Sequence, residues 1–196
     1  MTLLALDALA TSHRTAPPRA GRTQVLAIDG RGGSGKSTLA GRIAALLDAP
    51  VVHMDDLYPG WDGLAEAASL LQRWVLGPLS RGEPGRYRRY DWERDAYGEW
   101  VDLSQPDTLV VEGCASGSRL AAPYLSLLLW VEASRETRLR RGLERDGEAY
   151  GPHWELWAAQ EDVLFAAEGT RDRADLRVDG DPSIPHDPRS HIVLLP

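Results

Sequence analysis

The sequence predicts a three-layer α/β sandwich: a five-stranded parallel sheet with helices on both faces and a small helical lid. Three observations carry this. Short apolar runs alternate with longer stretches of helical period, the pattern of repeated strand–helix–strand units. A glycine-rich segment, Gly30-Arg31-Gly32-Gly33-Ser34-Gly35-Lys36-Ser37, joins the first apolar run directly to a helix start. Two later runs end in acids, Asp55 and Glu112, at the strand edge where open α/β sheets hold their ligands.

The first 22 residues read as a short amphipathic helix and a Pro/Arg linker, followed by one domain over 23–196. Val25–Ile28 is the first strand, and Thr38–Leu47 the helix after the glycine loop. Val51–Met54 is strand two. A second helix runs over about Gly63–Val75, with Leu64, Ala67, Ala68, Leu71, Trp74 and Val75 on one face. Tyr87–Trp92 and Glu99–Leu103 pair as a hairpin across Asp95–Gly98. Thr108–Val111 is strand three, Ser118–Tyr124 a helix and Ser126–Val131 strand four. The lid spans about 134–153: a charged helix, Ser134–Arg145, and a glycine-bounded turn, Gly147–Gly151. A helix over Trp154–Glu168 turns Trp154, Trp157, Ala158, Leu164 and Phe165 inward, and Asp175–Val178 is the last strand.

Composition narrows the function. The chain has 196 residues, enough for one domain with a real core, and 26% charged against 43% hydrophobic residues is ordinary for a globule. A net charge of −7, with only short arginine clusters, argues against nucleic acid as a partner. No apolar run approaches a membrane span, and the start lacks the basic residues of a leader. The lone Cys114 forms no internal disulfide, which fits a reducing compartment. The expectation is a cytoplasmic protein with a small-molecule substrate, no nucleic-acid or membrane partner, and homo-oligomerisation left open.

Strand, glycine loop and helix start form a cradle for nucleotide phosphates. Glycines let backbone N–H groups wrap inward around an anion, and the helix N-terminus adds partial positive charge. The cradle comprises Gly30, Gly32, Gly33, Ser34, Gly35, Lys36, Ser37 and Thr38. Lys36 is the chain's one lysine beside 21 arginines, placed where a compact ammonium suits β- and γ-phosphates. Ser37 is a ligand for Mg²⁺, and Glu112 supports the same ion from the end of its strand. Asp55 is placed to take a proton from a phosphoryl acceptor; its neighbour Asp56 points elsewhere, because adjacent residues do not face one site. Arg138, Arg141 and Arg145 share a helix face that can close over phosphates, although Glu136 and Glu144 offer them ordinary ion pairs. Arg86, Arg88 and Arg89 either hold a phosphate on the acceptor or edge the hairpin with charge. Trp61 and Trp92 lie near ligand loops, and His53 reads as structural.

With these residues placed, the chain resembles the uridine kinase and phosphoribulokinase-like group of P-loop kinases, whose fold is the P-loop NTPase sandwich. "VLAIDGRGGSGKST" is similar to that group's nucleotide loop, and "VVEG" to its acidic strand end, which implies Glu112 at magnesium. "HMDDLY" is similar to its strand-two segment, implying that Asp55 and Tyr58 hold the acceptor hydroxyl. "ETRLRRGLERD" is similar to its lid helix, implying catalytic roles for Arg141 and Arg145 beside Lys36 and Asp55. "YDW" is similar to a shorter acceptor motif, implying that Tyr90, Asp91 and Trp92 touch a sugar or base. The chain departs from the group after Asp146, where Gly147–Gly151 stands in place of further arginines, and it lacks the histidine expected after the "YDW" motif.

The resemblance implies transfer of the γ-phosphoryl of Mg·ATP to a hydroxyl, most simply on a nucleoside. A kinase for a nucleoside monophosphate or another metabolite, and a regulatory ATPase, are the alternatives. A GTPase is excluded on the sequence: its guanine-reading N-K-x-D motif needs asparagine, and the chain has none.

Overall fold

The computed structural model describes residues 1–147 and 151–196. Its main sheet contains β1 (Thr2–Ala5), β2 (Gln24–Asp29), β3 (Val51–His53), β6 (Thr108–Glu112), β7 (Leu127–Glu132), β8 (Leu176–Asp179) and β9 (His191–Leu194). The order across the sheet is β1-β9-β8-β7-β2-β6-β3. The β3, β6, β2, β7 and β8 ladders are parallel, as the alternation of strands and helices requires. The sheet therefore has seven strands, two more than the sequence suggested. The extra pair is antiparallel: β9 runs against β8, and β1 against β9 from Thr2↔Leu194 to Ala5↔His191. A four-residue apolar run fits strand or helix equally well, and only its partner decided this one.

Both faces of the sheet are covered, so the central strands are apolar at successive positions rather than alternate ones. On one face Val25, Ala27, Val52, Val111 and Leu128 meet α3 (Leu64–Leu71) and α6 (Gly151–Glu168). On the other, Leu26, Ile28, Val110, Leu129 and Val131 meet α1 (Leu6–Arg14) and α2 (Lys36–Leu47) through Leu6, Leu9, Leu39 and Ile43. Each fully buried Leu or Ile side chain contributes roughly 1.5–3 kcal/mol. This packing fixes where the carboxyl ends of β2, β3 and β6 lie, and with them the site.

Beside the sheet, β4 (Gly85–Asp91) and β5 (Ala96–Leu103) form the expected hairpin with a tighter turn, pairing Asp91 with Ala96. The second expected helix closes at Leu71, continues as one wide turn over Gln72–Leu76, and ends in the short α4 (Gly77–Ser80). The helix expected over Ser118–Tyr124 is only a series of turns with a single 3₁₀ turn at Ala122–Tyr124. The residue just before that stretch is held from outside, Gly117 N donating to Asp29. The lid helix is α5 (Arg135–Asp146), capped by the Ser134 hydroxyl, which accepts from Thr137 N at 3.1 Å. Of the turn expected at Gly147–Gly151, residues 148–150 lie outside the described residues. α7 (Thr170–Arg173) leads into β8. No helix among the described residues is long and apolar enough to cross a membrane.

Candidate active site

The carboxyl ends of β2, β3 and β6 open into one cavity of about 990 Å³. Gly32, Gly33, Gly35, Lys36, Ser37 and Thr38 form its floor, Asp55 and Glu112 its side, and Arg141 and Arg145 its lid. The loop turns back on itself through positive φ at Gly30 (143°), Gly33 (76°) and Gly35 (102°), the last placing Lys36 at the first turn of α2. At Gly33 a Cβ would lie 2.4 Å from Arg138 O, so the lid helix packs directly on loop backbone. Gly33→Ala is expected to lower the melting temperature and weaken Mg·ADP binding at least tenfold. The left-handed conformation alone costs about 1–2 kcal/mol for a residue with a Cβ. A melting curve and a calorimetric titration check both effects; an unchanged affinity would contradict this role for Gly33.

Lys36 is buried, and its Nζ donates to Arg31 O at 2.8 Å across the loop. Burial opposes its charge, but surrounding negative groups, Glu112, Glu161 and Asp29 among them, hold its pKa above the ordinary value. At the loop's base, Asp29 accepts from Gly30 N (2.7 Å), Gly117 N (2.8 Å) and Ala115 N (3.2 Å). Burial pushes its carboxyl up to about 7 against those N–H groups and Lys36. Ser34 is fully buried.

Glu112 joins two elements. Its Oε2 accepts from Ser37 Oγ at 3.2 Å, and its Oε1 lies 2.6 Å from His53 Nδ1. Burial alone would raise its pKa; His53, Lys36 and Ser37 outweigh this and hold it below the carboxylate range. The hydrogen bond to Glu112 raises the His53 pKa in turn. A hydroxyl and a carboxylate converging beside a phosphate cradle are hard oxygen donors suited to Mg²⁺. Among the described residues no three His, Cys, Asp or Glu groups form a metal site by themselves.

Asp55 lies in the turn after β3 and lines the cavity, where water reaches it through the opening but protein crowds it on the remaining sides. Burial by the surrounding protein and the charge of Glu112 push its pKa up, against Lys36, Arg145 and His53. Asp56 pairs with Arg89, 3.2 Å away, yet also lines the cavity, so the expectation that only one of the adjacent acids would face it does not hold. Aromatic rings line the cavity beyond Asp55. Trp61 stacks on His153 with centroids 4.2 Å apart and meets Trp92 and Trp157 edge-on at 5.1 and 6.1 Å. Trp92 Nε1 donates to Asp55 O at 3.1 Å, joining hairpin to turn.

The other expected residues make the following contacts. Tyr58 is buried and lines the cavity, but its hydroxyl donates to Cys114 O at 2.9 Å. Tyr90 donates to Asp95 at 2.5 Å and packs on Trp92 and Tyr97. Asp91 accepts from Glu93 N and Arg94 N as a turn cap. Arg141 donates to Gly180 O (3.0 Å) and Asp181 (3.2 Å), with longer contacts to Gly33 O and Ser34 O. Arg145 lines the cavity near enough to Asp55 to lower its pKa. Arg86, Arg88 and Arg89 do not line the cavity: Arg86 lies over Trp100 and near Asp102, Arg88 donates to Tyr97 O and Gly98 O, and Arg89 pairs with Asp56. Glu161, fully buried on α6 with its Oε1 2.6 Å from Gly32 N, was not foreseen. The signal was an acid on the helix's inward stripe, four residues after Trp157.

Known structures place this architecture. A possible uridine kinase from Bacillus stearothermophilus superposes with a TM-score of 0.60 and 22% identity, covering 88% of this chain and 96% of that one. The fold is that of the P-loop kinases. Within it, the seven-stranded sheet keeps the parallel core and carries the β9–β1 pair on its far edge. In sequence, the cytidylate kinase of Pyrobaculum calidifontis is 27% identical over 128 residues, 64% of this chain. The match spans 62% of that protein's length, less than two thirds. A comparison with protein-family profiles finds no match.

Proposed function

We propose that this P-loop chain is a kinase that transfers the γ-phosphoryl of Mg·ATP to a hydroxyl on an unphosphorylated, ring-bearing acceptor such as a nucleoside. One observation carries the reading: Asp55 opens onto the same cavity as Lys36, Ser37 and Glu112. Phosphoryl transfer is mostly positioning and charge stabilisation, and a hydroxyl acceptor also needs a base within reach. In this reading Lys36 and the loop N–H groups hold the triphosphate, while Ser37 and Glu112 hold magnesium, which neutralises phosphate charge. Arg141 and Arg145 close over the phosphates, and Asp55 takes the acceptor's proton. Trp92 and Trp61 give a flat acceptor an aromatic wall, with Asp55 at one end.

The alternative, a monophosphate acceptor, fits the cytidylate kinase match. A phosphate at the acceptor end needs cations. The hairpin arginines are engaged elsewhere. Toward the acceptor end the described cavity residues offer Arg145, near Asp55, and His153, which is stacked on Trp61, while Lys36 and Arg141 belong to the loop and its lid. A panel of nucleosides, sugars and their monophosphates, assayed by ADP release, tests the choice. ATP turnover alone should be slow and rise at least tenfold with one unphosphorylated alcohol. Stimulation by a monophosphate and not by its parent alcohol would transfer the assignment to the alternative. Fast turnover indifferent to every acceptor would favour a regulatory ATPase.

A further inference from the structure

Glu161 stands where electrostatics alone would not put it. It is fully buried beside a cradle built for anions, where an isolated carboxylate works against a triphosphate. Two guanidinium groups offset it: Arg138 Nη1 and Arg31 Nη1 lie 3.5 and 3.6 Å from its Oε2. Its other oxygen, Oε1, accepts from Gly32 N at 2.6 Å, Trp157 Nε1 at 3.1 Å and Cys114 Sγ at 3.3 Å. Arg138 Nη1 also reaches Gly32 O at 3.4 Å. Both backbone groups of Gly32 are thus held by one ion pair, and the next residue, Gly33, packs against Arg138 backbone. Glycine-rich backbone loses the most freedom on ordering, so pinning it beforehand removes part of the cost of binding.

We propose that Glu161, with Arg138, is a positioning residue that sets the phosphate loop in its anion-binding shape before nucleotide arrives. Trp157 carries the same setting to the acceptor side: its Nε1–H bonds Glu161 while its ring lines the cavity and meets Tyr58 and Trp61 edge-on. The proposal rests on the phosphate-binding reading of the loop. It assigns Glu161 no contact with substrate. A second consequence is that Gly32 N–H, already engaged, is not one of the donors to phosphate.

Glu161→Asp in the full chain is the test. It keeps the charge facing Arg31 and Arg138 but is one methylene short of Gly32 N. Calorimetry with Mg·ADP should show affinity at least tenfold below the unsubstituted chain, and the KM for ATP should rise in step while kcat falls less than threefold. Glu155→Gln, on the exposed side of the same helix, should change neither. Where Glu161→Asp yields no folded protein, Arg138→Lys, which shortens the reach to Gly32 O, should lower Mg·ADP affinity at least threefold. An affinity within twofold of the unsubstituted chain for Glu161→Asp, with or without a lower melting temperature, overturns the proposal. That result would make Glu161 a packing residue. If the unsubstituted chain itself fails to bind Mg·ADP, the phosphate-binding reading falls, and the proposal with it.

Discussion

Asp55→Asn is expected to lower phosphoryl transfer at least about a hundredfold, the usual scale for a positioned base, while ATP affinity stays near that of the unsubstituted chain. The change is nearly isosteric and removes the proton acceptor. Asp55 stands apart from the loop atoms that hold phosphate, so binding and transfer should separate. The pH profile gives a second readout. Only ionised Asp55 accepts a proton, and burial with the Glu112 charge raises its pKa. Activity should therefore rise with pH through an acid limb placed above the ordinary carboxylate value, and Asp55→Asn should flatten that limb. Equal transfer rates in the two proteins would remove Asp55 as the base.

Lys36→Met should have the larger effect. A preorganised cation in a site walled from water is worth more than the same charge in solvent, and deleting one such group typically costs about 10²–10³ in turnover. The loss here should reach binding as well, because Lys36 is the loop cation that lines the cavity, while Arg31 pairs with Glu161 and Asp162. The substitution also removes the positive charge among the buried acids Asp29, Glu112 and Glu161. Leaving buried charge uncompensated destabilises a fold, so melting should fall along with activity. Steady-state kinetics and a melting curve measure both; turnover within tenfold of the unsubstituted chain would contradict the placement of the phosphates.

The loop, Lys36, Ser37, Glu112 and Asp55 were legible in the sequence because each follows from local order: strand, turn, helix start, or an acid directly after an apolar run. What was hidden depends on contacts between distant segments. β1 became a strand because His191–Leu194 lies alongside it, a fact absent from its own four residues. The turns at Ser118–Tyr124 follow directly on Ala115 and Gly117, whose N–H groups go to Asp29 on a distant strand, a tie that the segment's own residues do not reveal. The directions of Arg86, Arg88 and Arg89 depend on the hairpin's register and its irregularity between Arg88 and Tyr90, which no pattern of residue types reveals. Glu161 was the subtlest case: a helical stripe read for its tryptophans hides an acid of the same period.

The seam between the first and last strands has a consequence for how the chain comes to be made. Thr2–Ala5 is made well before the strand it bonds, His191–Leu194. Closing the long loop from Ala5 to His191 carries an entropic cost that grows only with the logarithm of its length, but it is met only after everything between has been made. Until then the nascent product presents an unsealed sheet margin at β8, the kind of open backbone that invites pairing with a neighbour.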